Sequence, residues 1–275
     1  MAAAAVVVSA LTAASANAAT PSSYVYATSW SQTARQYAAD DTGLLSPLTP
    51  PDVGTGLTST AVVASPDRRS LYVVNQTSNT VSQFDIAADG TLTAKTPESV
   101  TTGRSPVALA VAPDGRHAYV VNQGDETVST YSVDAAGALT FAATTATGAG
   151  PLEIAVSPDG ASVYVTNFSA GSVSQYDVTT TGARAPKAAG TVPAGSQPAG
   201  VAVSRDGASV YVTNQLVSGT VRRFSVDAET GALTSQATVG AGTQPRGIAV
   251  ATGRVYVSNV GSSTISQYAA DGAGA

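Results

Sequence analysis

An all-β chain built from four-stranded antiparallel blades, a β-propeller, is predicted by three features of the sequence. A tyrosine-centred segment recurs at a near-constant period, turn residues fall at fixed places within each period, and no segment after residue 18 has helical periodicity. The recurring segment begins at Tyr24, Tyr72, Tyr119, Tyr164, Tyr211 and Tyr256, with spacings of 48, 47, 45, 47 and 45 residues. Five copies end in asparagine (Asn75, Asn122, Asn167, Asn214 and Asn259). A second aromatic follows each tyrosine by 12 or 13 positions: Tyr37, Phe84, Tyr131, Tyr176, Phe224 and Tyr268. A four-stranded unit of this length cannot bury both faces alone, and radially repeated copies cover one another.

The unit covering residues 151–197 shows the elements in order. Residues 152–157 form an apolar first strand, ended by Pro158-Asp159-Gly160. Proline presets φ, aspartate bonds the backbone ahead, and glycine accepts positive φ. Residues 162–166 alternate as a second strand, 167–171 form a loop, and 172–178 alternate again as a third. In other units an Asp-Gly or Ala-Gly turn, Asp89-Gly90 or Ala136-Gly137, leads to a fourth strand such as residues 91–96. Gly-x-x-Pro loops open the next unit at Gly103, Gly148, Gly195 and Gly242. The repeats run near 24–58, 59–105, 106–150, 151–197, 198–244 and 245–275, so about six are visible. The first copy starts at its second strand, and the last stops at Asp271–Ala275, where a fourth strand should begin. The sequence therefore predicts a ring incomplete at the C-terminus, or one closed imperfectly with six blades.

Residues 1–18 read as an export leader. An uncharged apolar run ends in Ala16-Asn17-Ala18, a small-x-small cleavage pattern, although no basic residue precedes it. The expected mature protein is a single domain over residues 19–275, secreted or held at the cell surface. The run is shorter than the ~20 apolar residues of a membrane span, so no transmembrane segment is expected.

Composition narrows the chemistry. The 275 residues include 13 basic and 18 acidic side chains, for a net charge of −5, one histidine and no cysteine. Disulfides, zinc–thiolate sites, cysteine nucleophiles and two-histidine mechanisms are excluded. With only Lys95 and Lys187 as lysines in an acidic chain, nucleic acid is not an expected partner. Asp125-Glu126 reads as a polar loop, and neither metal nor cofactor is expected.

The segments Tyr164-Val165-Thr166-Asn167 and Tyr211-Val212-Thr213-Asn214 match the YVTN β-propeller repeat literally. The fuller unit, with its turn before the tyrosine and its Gly-x-x-Pro loop, resembles lactonase-family β-propeller proteins over about residues 24–268, including propeller-type 6-phosphogluconolactonases. The resemblance implies seven blades and hydrolysis of a lactone. It also implies histidines in a Pro-x-His region, a following Asp-Leu-Gly, and a Gly-Pro-Arg-His strand start. Here Ser105-Pro106-Val107-Ala108 precedes Asn122-Gln123-Gly124, and Gly150-Pro151-Leu152-Glu153 and Pro245-Arg246-Gly247 lack the histidine. The lone His117 reads as a solvent-exposed, non-catalytic residue beside a turn.

Motifs shared by all blades build blades, so a site is sought where the copies differ. In propellers, first strands and the loops leading into them line the central channel mouth. The repeat-breaking residues there are Arg104, Glu153, Gln197, Gln244 and Arg246. Arginine can hold a carboxylate or phosphate by paired hydrogen bonds. Glu153 could act as a general base, with Arg246 or Arg104 stabilising an oxyanion. Three functions are consistent with this: a secreted propeller that binds a lactone, organic acid, glycan or protein; a sugar-lactone hydrolase; and a structural cell-surface YVTN module. The missing histidines favour the first.

Overall fold

The computed structural model describes residues 7–12, 23–28, 30, 32–179, 182, 184–251 and 253–270. These form 23 strands and no helix, arranged in six sheets. In sequence order the sheets contain β1 (Val7–Thr12), β2 (Ser23–Thr28), β3 (Thr33–Ala39) and β4 (Leu45–Gly54); β5 (Ser59–Ala64), β6 (Ser70–Asn75), β7 (Thr80–Ile86) and β8 (Leu92–Thr101); and β9 (Pro106–Val111), β10 (His117–Asn122), β11 (Thr127–Val133) and β12 (Leu139–Ala146). They continue with β13 (Pro151–Val156), β14 (Ser162–Asn167), β15 (Ser172–Val178) and β16 (Arg184–Pro193); β17 (Pro198–Val203), β18 (Ser209–Asn214), β19 (Thr220–Val226) and β20 (Leu233–Gly240); and a three-stranded sheet of β21 (Pro245–Ala251), β22 (Arg254–Asn259) and β23 (Thr264–Ala269). Each sheet is a simple meander, which is the blade predicted from the repeat.

The chain divides into two compact units, residues 1–125 with 131–142, and 126–130 with 143–275. Within the first unit, first strand β5 packs against β1 and β9; within the second, β17 packs against β13 and β21. Apolar side chains between neighbouring sheets make the core. The fully buried Tyr72 and Val81 of one sheet enclose Leu139 with Ala118 and Tyr131 of the next. Tyr164 and Val173 enclose Leu233 with Val210 and Phe224 in the same way. Each such leucine contributes about 1.5–3 kcal/mol by burial.

Polar groups fix the spacing of the sheets. The second-strand tyrosine donates its hydroxyl to a glycine carbonyl in the neighbouring sheet's last turn: Tyr72 to Gly137, Tyr164 to Gly231 and, in the first copy, Tyr26 to Gly90, each at 2.7 Å, so that Tyr26 and not the Tyr24 aligned from sequence is the equivalent there. Beside it a buried glutamine accepts the N–H of the following leucine: Gln36 from Leu92, Gln83 from Leu139 and Gln175 from Leu233. The turn glycine cannot carry a side chain. At Gly137 (φ +76°) a Cβ would lie 2.0 Å from Ser70 Oγ.

The recurring turn has the structural role expected of it, and the recurring asparagine joins two strands through side-chain hydroxyls. Asp159 accepts Ser157 Oγ and the Ala161 N–H, and Asp67 and Asp206 repeat the pattern. These hydrogen bonds hold all three carboxyls below the usual carboxylate range. Asn167 Nδ2 donates to Ser172 Oγ and Ser174 Oγ, tying the second strand to the third.

Four details differ from the sequence reading. First strands begin one residue earlier, at their proline or its equivalent. The fourth strand read as 91–96 runs over Leu92–Thr101. His117 is partly buried rather than exposed, with Nδ1 3.9 Å from Asp114 Oδ2. The first copy also has a first strand: β1 pairs antiparallel with β2, Val7 opposite Thr28 and Thr12 opposite Ser23. It comes from the stretch read as a leader. It carries no turn signature because residues 13–22 replace the short Pro-Asp-Gly connection. The cleavage pattern at residues 16–18 lies outside the described residues.

Candidate functional site

The first strands of the second unit carry different side chains at matching positions. Pro151-Leu152-Glu153-Ile154 on β13 aligns with Pro198-Ala199-Gly200-Val201 on β17 and Pro245-Arg246-Gly247-Ile248 on β21. Glu153 therefore matches two glycines, and Arg246 is the charged member of the preceding position.

Threonine hydroxyls set the register of these strands. Glu153 donates its N–H to Thr166 Oγ1 (3.1 Å), and that hydroxyl donates to Ala199 O (2.7 Å). One blade on, Gly200 donates to Thr213 Oγ1 (2.8 Å), which donates to Arg246 O (3.0 Å). Gly247 donates to Ser258 Oγ at 3.0 Å. At Thr166 and Thr213 the third letter of the Tyr-Val-Thr-Asn segment thus ties one first strand to the next. Thr213→Val should cost about 1 kcal/mol by leaving Gly200 N–H without its acceptor, readable as a lower urea midpoint at unchanged m-value.

The backbone at Gly200 approaches β21 so closely that a Cβ there would lie 2.2 Å from Arg246 O. No side chain at Gly200 intrudes between the Glu153 and Arg246 positions. The Glu153 carboxylate accepts the Ile154 N–H at 3.2 Å. Burial pushes its pKa up to about 7, against the opposing pull of that hydrogen bond and of the Arg246 charge. No ion pair within 4 Å joins the two among the described residues. A carboxyl near half-protonation at neutral pH therefore sits within the field of a guanidinium on a glycine-lined strand face. Such a pair can donate or accept a hydrogen bond at one end and hold an anionic oxygen at the other.

The other sequence candidates are placed differently. Arg104 is exposed and committed: Nε lies 2.5 Å from Asp125 Oδ1, Nη2 donates to Gly124 O, and its N–H donates to Asp125 Oδ2. It belongs to the other compact unit. Gln197 and Gln244 are exposed and left-handed, with φ of 54° and 52°. Ser105, which also precedes a first-strand proline, has φ 50°, so this conformation belongs to the loop rather than to glutamine. Their carbonyls accept Gln215 N–H and Val260 N–H. Sequence reasoning passed over Thr166, Thr213 and Ser258. The signal was present, since the third letter is valine at Val74 and Val121 and a hydroxyl residue in the later copies. Among the described residues, no group of three histidine, aspartate or glutamate side chains is placed to hold a metal.

Stacked four-stranded meanders stitched by inter-sheet tyrosine and glutamine hydrogen bonds define a β-propeller. The chain belongs to the lactonase, seven-bladed β-propeller family, which matches it over residues 41–140, 94–195 and 183–274. Six sheets are present among the described residues, against the seven blades of the family description. No curated protein sequence matches the chain. Among solved structures it is similar to a Bacteroides uniformis protein assigned as a 6-phosphogluconolactonase, with TM-score 0.81 and 21% identity over 93% of this chain and 81% of that one. It is also similar to a periplasmic gluconolactonase of Pseudomonas aeruginosa (TM-score 0.71, 20% identity, 90% and 70% covered). A third is a protein from Lactobacillus plantarum (TM-score 0.77, 25% identity, 91% and 78% covered).

Proposed function

We propose that this chain is an exported binding propeller that takes a small hydroxylated organic acid or sugar acid at Glu153 and Arg246. The observation that carries this reading is the raised Glu153 carboxyl beside Arg246 on glycine-opened first strands. Arg246 supplies the positive charge for the ligand's carboxylate. Protonated Glu153 donates a hydrogen bond to a second oxygen. Ionised Glu153 repels the anion and competes for Arg246, so affinity is higher below about pH 7 than above it. Export rests on the leader pattern of residues 1–18; cleavage after residue 18 would remove β1 (Val7–Thr12) from the first sheet, so N-terminal sequencing of the exported protein decides between leader and strand.

Isothermal titration with gluconate tests the reading. Wild type should bind more tightly at pH 6 than at pH 8, Arg246→Ala should lose binding at both, and Glu153→Gln should lose the pH dependence. Equal affinity for wild type and Arg246→Ala would overturn it.

Hydrolysis of a sugar lactone is the second reading, favoured by the same carboxyl. A general base performs best with a pKa near the working pH, and an arginine can stabilise the developing oxyanion. On that reading wild type hydrolyses gluconolactone above background, and Glu153→Gln lowers the rate about 100-fold or more. On the binding reading the two rates are equal and at background.

A further inference from the structure

The hydroxyls of Thr166, Thr213 and Ser258 belong to one hydrogen-bonded chain that crosses three first strands. Glu153 N–H donates to Thr166 Oγ1, and that hydroxyl donates to Ala199 O. The same peptide group carries the Gly200 N–H, which donates to Thr213 Oγ1. Thr213 donates to Arg246 O, and that peptide group carries the Gly247 N–H, which donates to Ser258 Oγ. All five bonds run in one direction, so neighbours along the chain polarise and strengthen one another. The chain starts at the main chain of Glu153 and passes through the main chain of Arg246. Neither the carboxyl nor the guanidinium takes part in it.

Stacking of first strands does not require these hydroxyls. In the first unit the residue matching Thr166 is Val74, fully buried, and β5 still packs against β9. There Thr60 Oγ1 reaches Val74 O and Pro106 O only at 3.5 Å. In the first copy Thr28 follows Tyr26 as Val74 follows Tyr72. Its hydroxyl is buried and has no hydrogen-bond partner among the described residues. A hydroxyl at this place is therefore neither needed for stacking nor enough to build the chain. Thr166 and Thr213 are fully buried, where valine would gain apolar burial and carry no polar group to satisfy.

We propose that Thr166 and Thr213 are positioning residues of the Glu153–Arg246 site, holding the two charged residues by their main chains at the separation one small carboxylate spans. The proposal rests on the site read above, but not on the identity of its ligand. A binding pair works only when its groups are held to within about 0.5 Å, and a side chain on one strand cannot fix its partner two strands away by itself. The chain does so through β17. Thr166 sets Ala199 against Glu153, and Thr213 sets Arg246 against Gly200, the next residue along. The missing side chain at Gly200 lets its N–H and Arg246 O reach the same hydroxyl, since a Cβ there would lie 3.2 Å from Thr213 Oγ1 as well as 2.2 Å from Arg246 O.

The test is the titration of the Glu153 carboxyl, followed by carbon-13 NMR in the whole protein. Thr213→Val keeps the shape and removes the hydroxyl, and Thr213→Ser keeps the hydroxyl. Thr213→Val should raise the Glu153 midpoint by at least about a third of the rise seen in Arg246→Ala, because the guanidinium is no longer held beside the carboxyl. Thr213→Ser should match wild type. Lys95→Ala, in the other compact unit, should leave the midpoint unchanged while costing more stability, which separates positioning from general destabilisation. Gluconate affinity should fall several-fold in Thr213→Val and recover in Thr213→Ser. Thr166→Val is measured in parallel with the same expectation, so either variant decides if the other does not fold. A midpoint equal to wild type in the valine variants, or a Thr213→Ser that behaves like Thr213→Val, overturns the proposal. Wild type that fails to bind gluconate overturns the ligand reading instead, and the titration still decides the positioning.

Discussion

Replacing Glu153 by glutamine should make the folded protein more stable at pH 8 by about 2 kcal/mol, and change it little at pH 4. The sign follows from the direction of the shift. The Glu153 carboxyl binds its proton more tightly when folded, near 7, than the ordinary carboxylate value of 4.5. Ionising it in place is therefore unfavourable. That cost is absent below the unfolded value, grows as pH rises towards the folded value, and is constant above it. Glutamine keeps the size and the acceptor for Ile154 N–H but has no charge to desolvate. Chemical denaturation of both proteins at the two pH values measures the difference. A destabilised variant at pH 8 would show that the ionised carboxylate is stabilised in the fold and not strained by it. A gain in stability on neutralising a side chain is a mark of a site kept for binding or chemistry rather than for folding.

The second large effect is expected at the chain's two lysines. Lys95 Nζ pairs with Asp85 of its own sheet and donates to Ala136 O at 2.6 Å in the neighbouring sheet. Lys187 repeats this with Asp177 and Thr230 O. Both ammonium-bearing side chains are 4% exposed, whereas the aspartates are more than half exposed. Removing the lysine deletes its packed stem and strips a carbonyl and a carboxylate of their shared donor. Lys95→Ala and Lys187→Ala should each cost about 2–3 kcal/mol, with Lys→Met recovering the part due to the stem. Arg104→Ala, which breaks an ion pair with the arginine side chain 76% exposed, should stay within about 0.5 kcal/mol. Thermal denaturation of the three variants ranks them. A loss at Arg104 equal to that at Lys95 would contradict this account.

The lysines also show how far the sequence could be read. Two lysines in an acidic chain are read from composition only as a weak nucleic-acid surface, and the same count hides that both are buried inter-sheet clamps. Their equivalence shows only once Lys95 and Lys187 are placed in register on β8 and β16. The blades were legible because period-2 alternation and Pro-Asp-Gly turns are local signals. Strand β1 was not, because its pairing with β2 is carried by backbone hydrogen bonds across a ten-residue connection with no turn motif. Glu153 and Arg246 could be picked out as breaks in the repeat, but their proximity depends on Gly200 and on the Thr166 and Thr213 hydroxyls, which join separate blades. Arg104, chosen by the same logic, turned out to serve Asp125, its partner 21 residues on.

The most direct test is a carbon-13 NMR titration of side-chain carboxyls in protein labelled at glutamate. The chain has four, Glu98, Glu126, Glu153 and Glu229, so each resonance can be followed and assigned by substitution. One carboxyl should titrate near 7, vanish in Glu153→Gln, and move higher still in Arg246→Ala, where the opposing positive charge is gone. Four midpoints near the ordinary value of about 4.3, or a raised midpoint indifferent to Arg246, would contradict the assignment of this pair as the functional site.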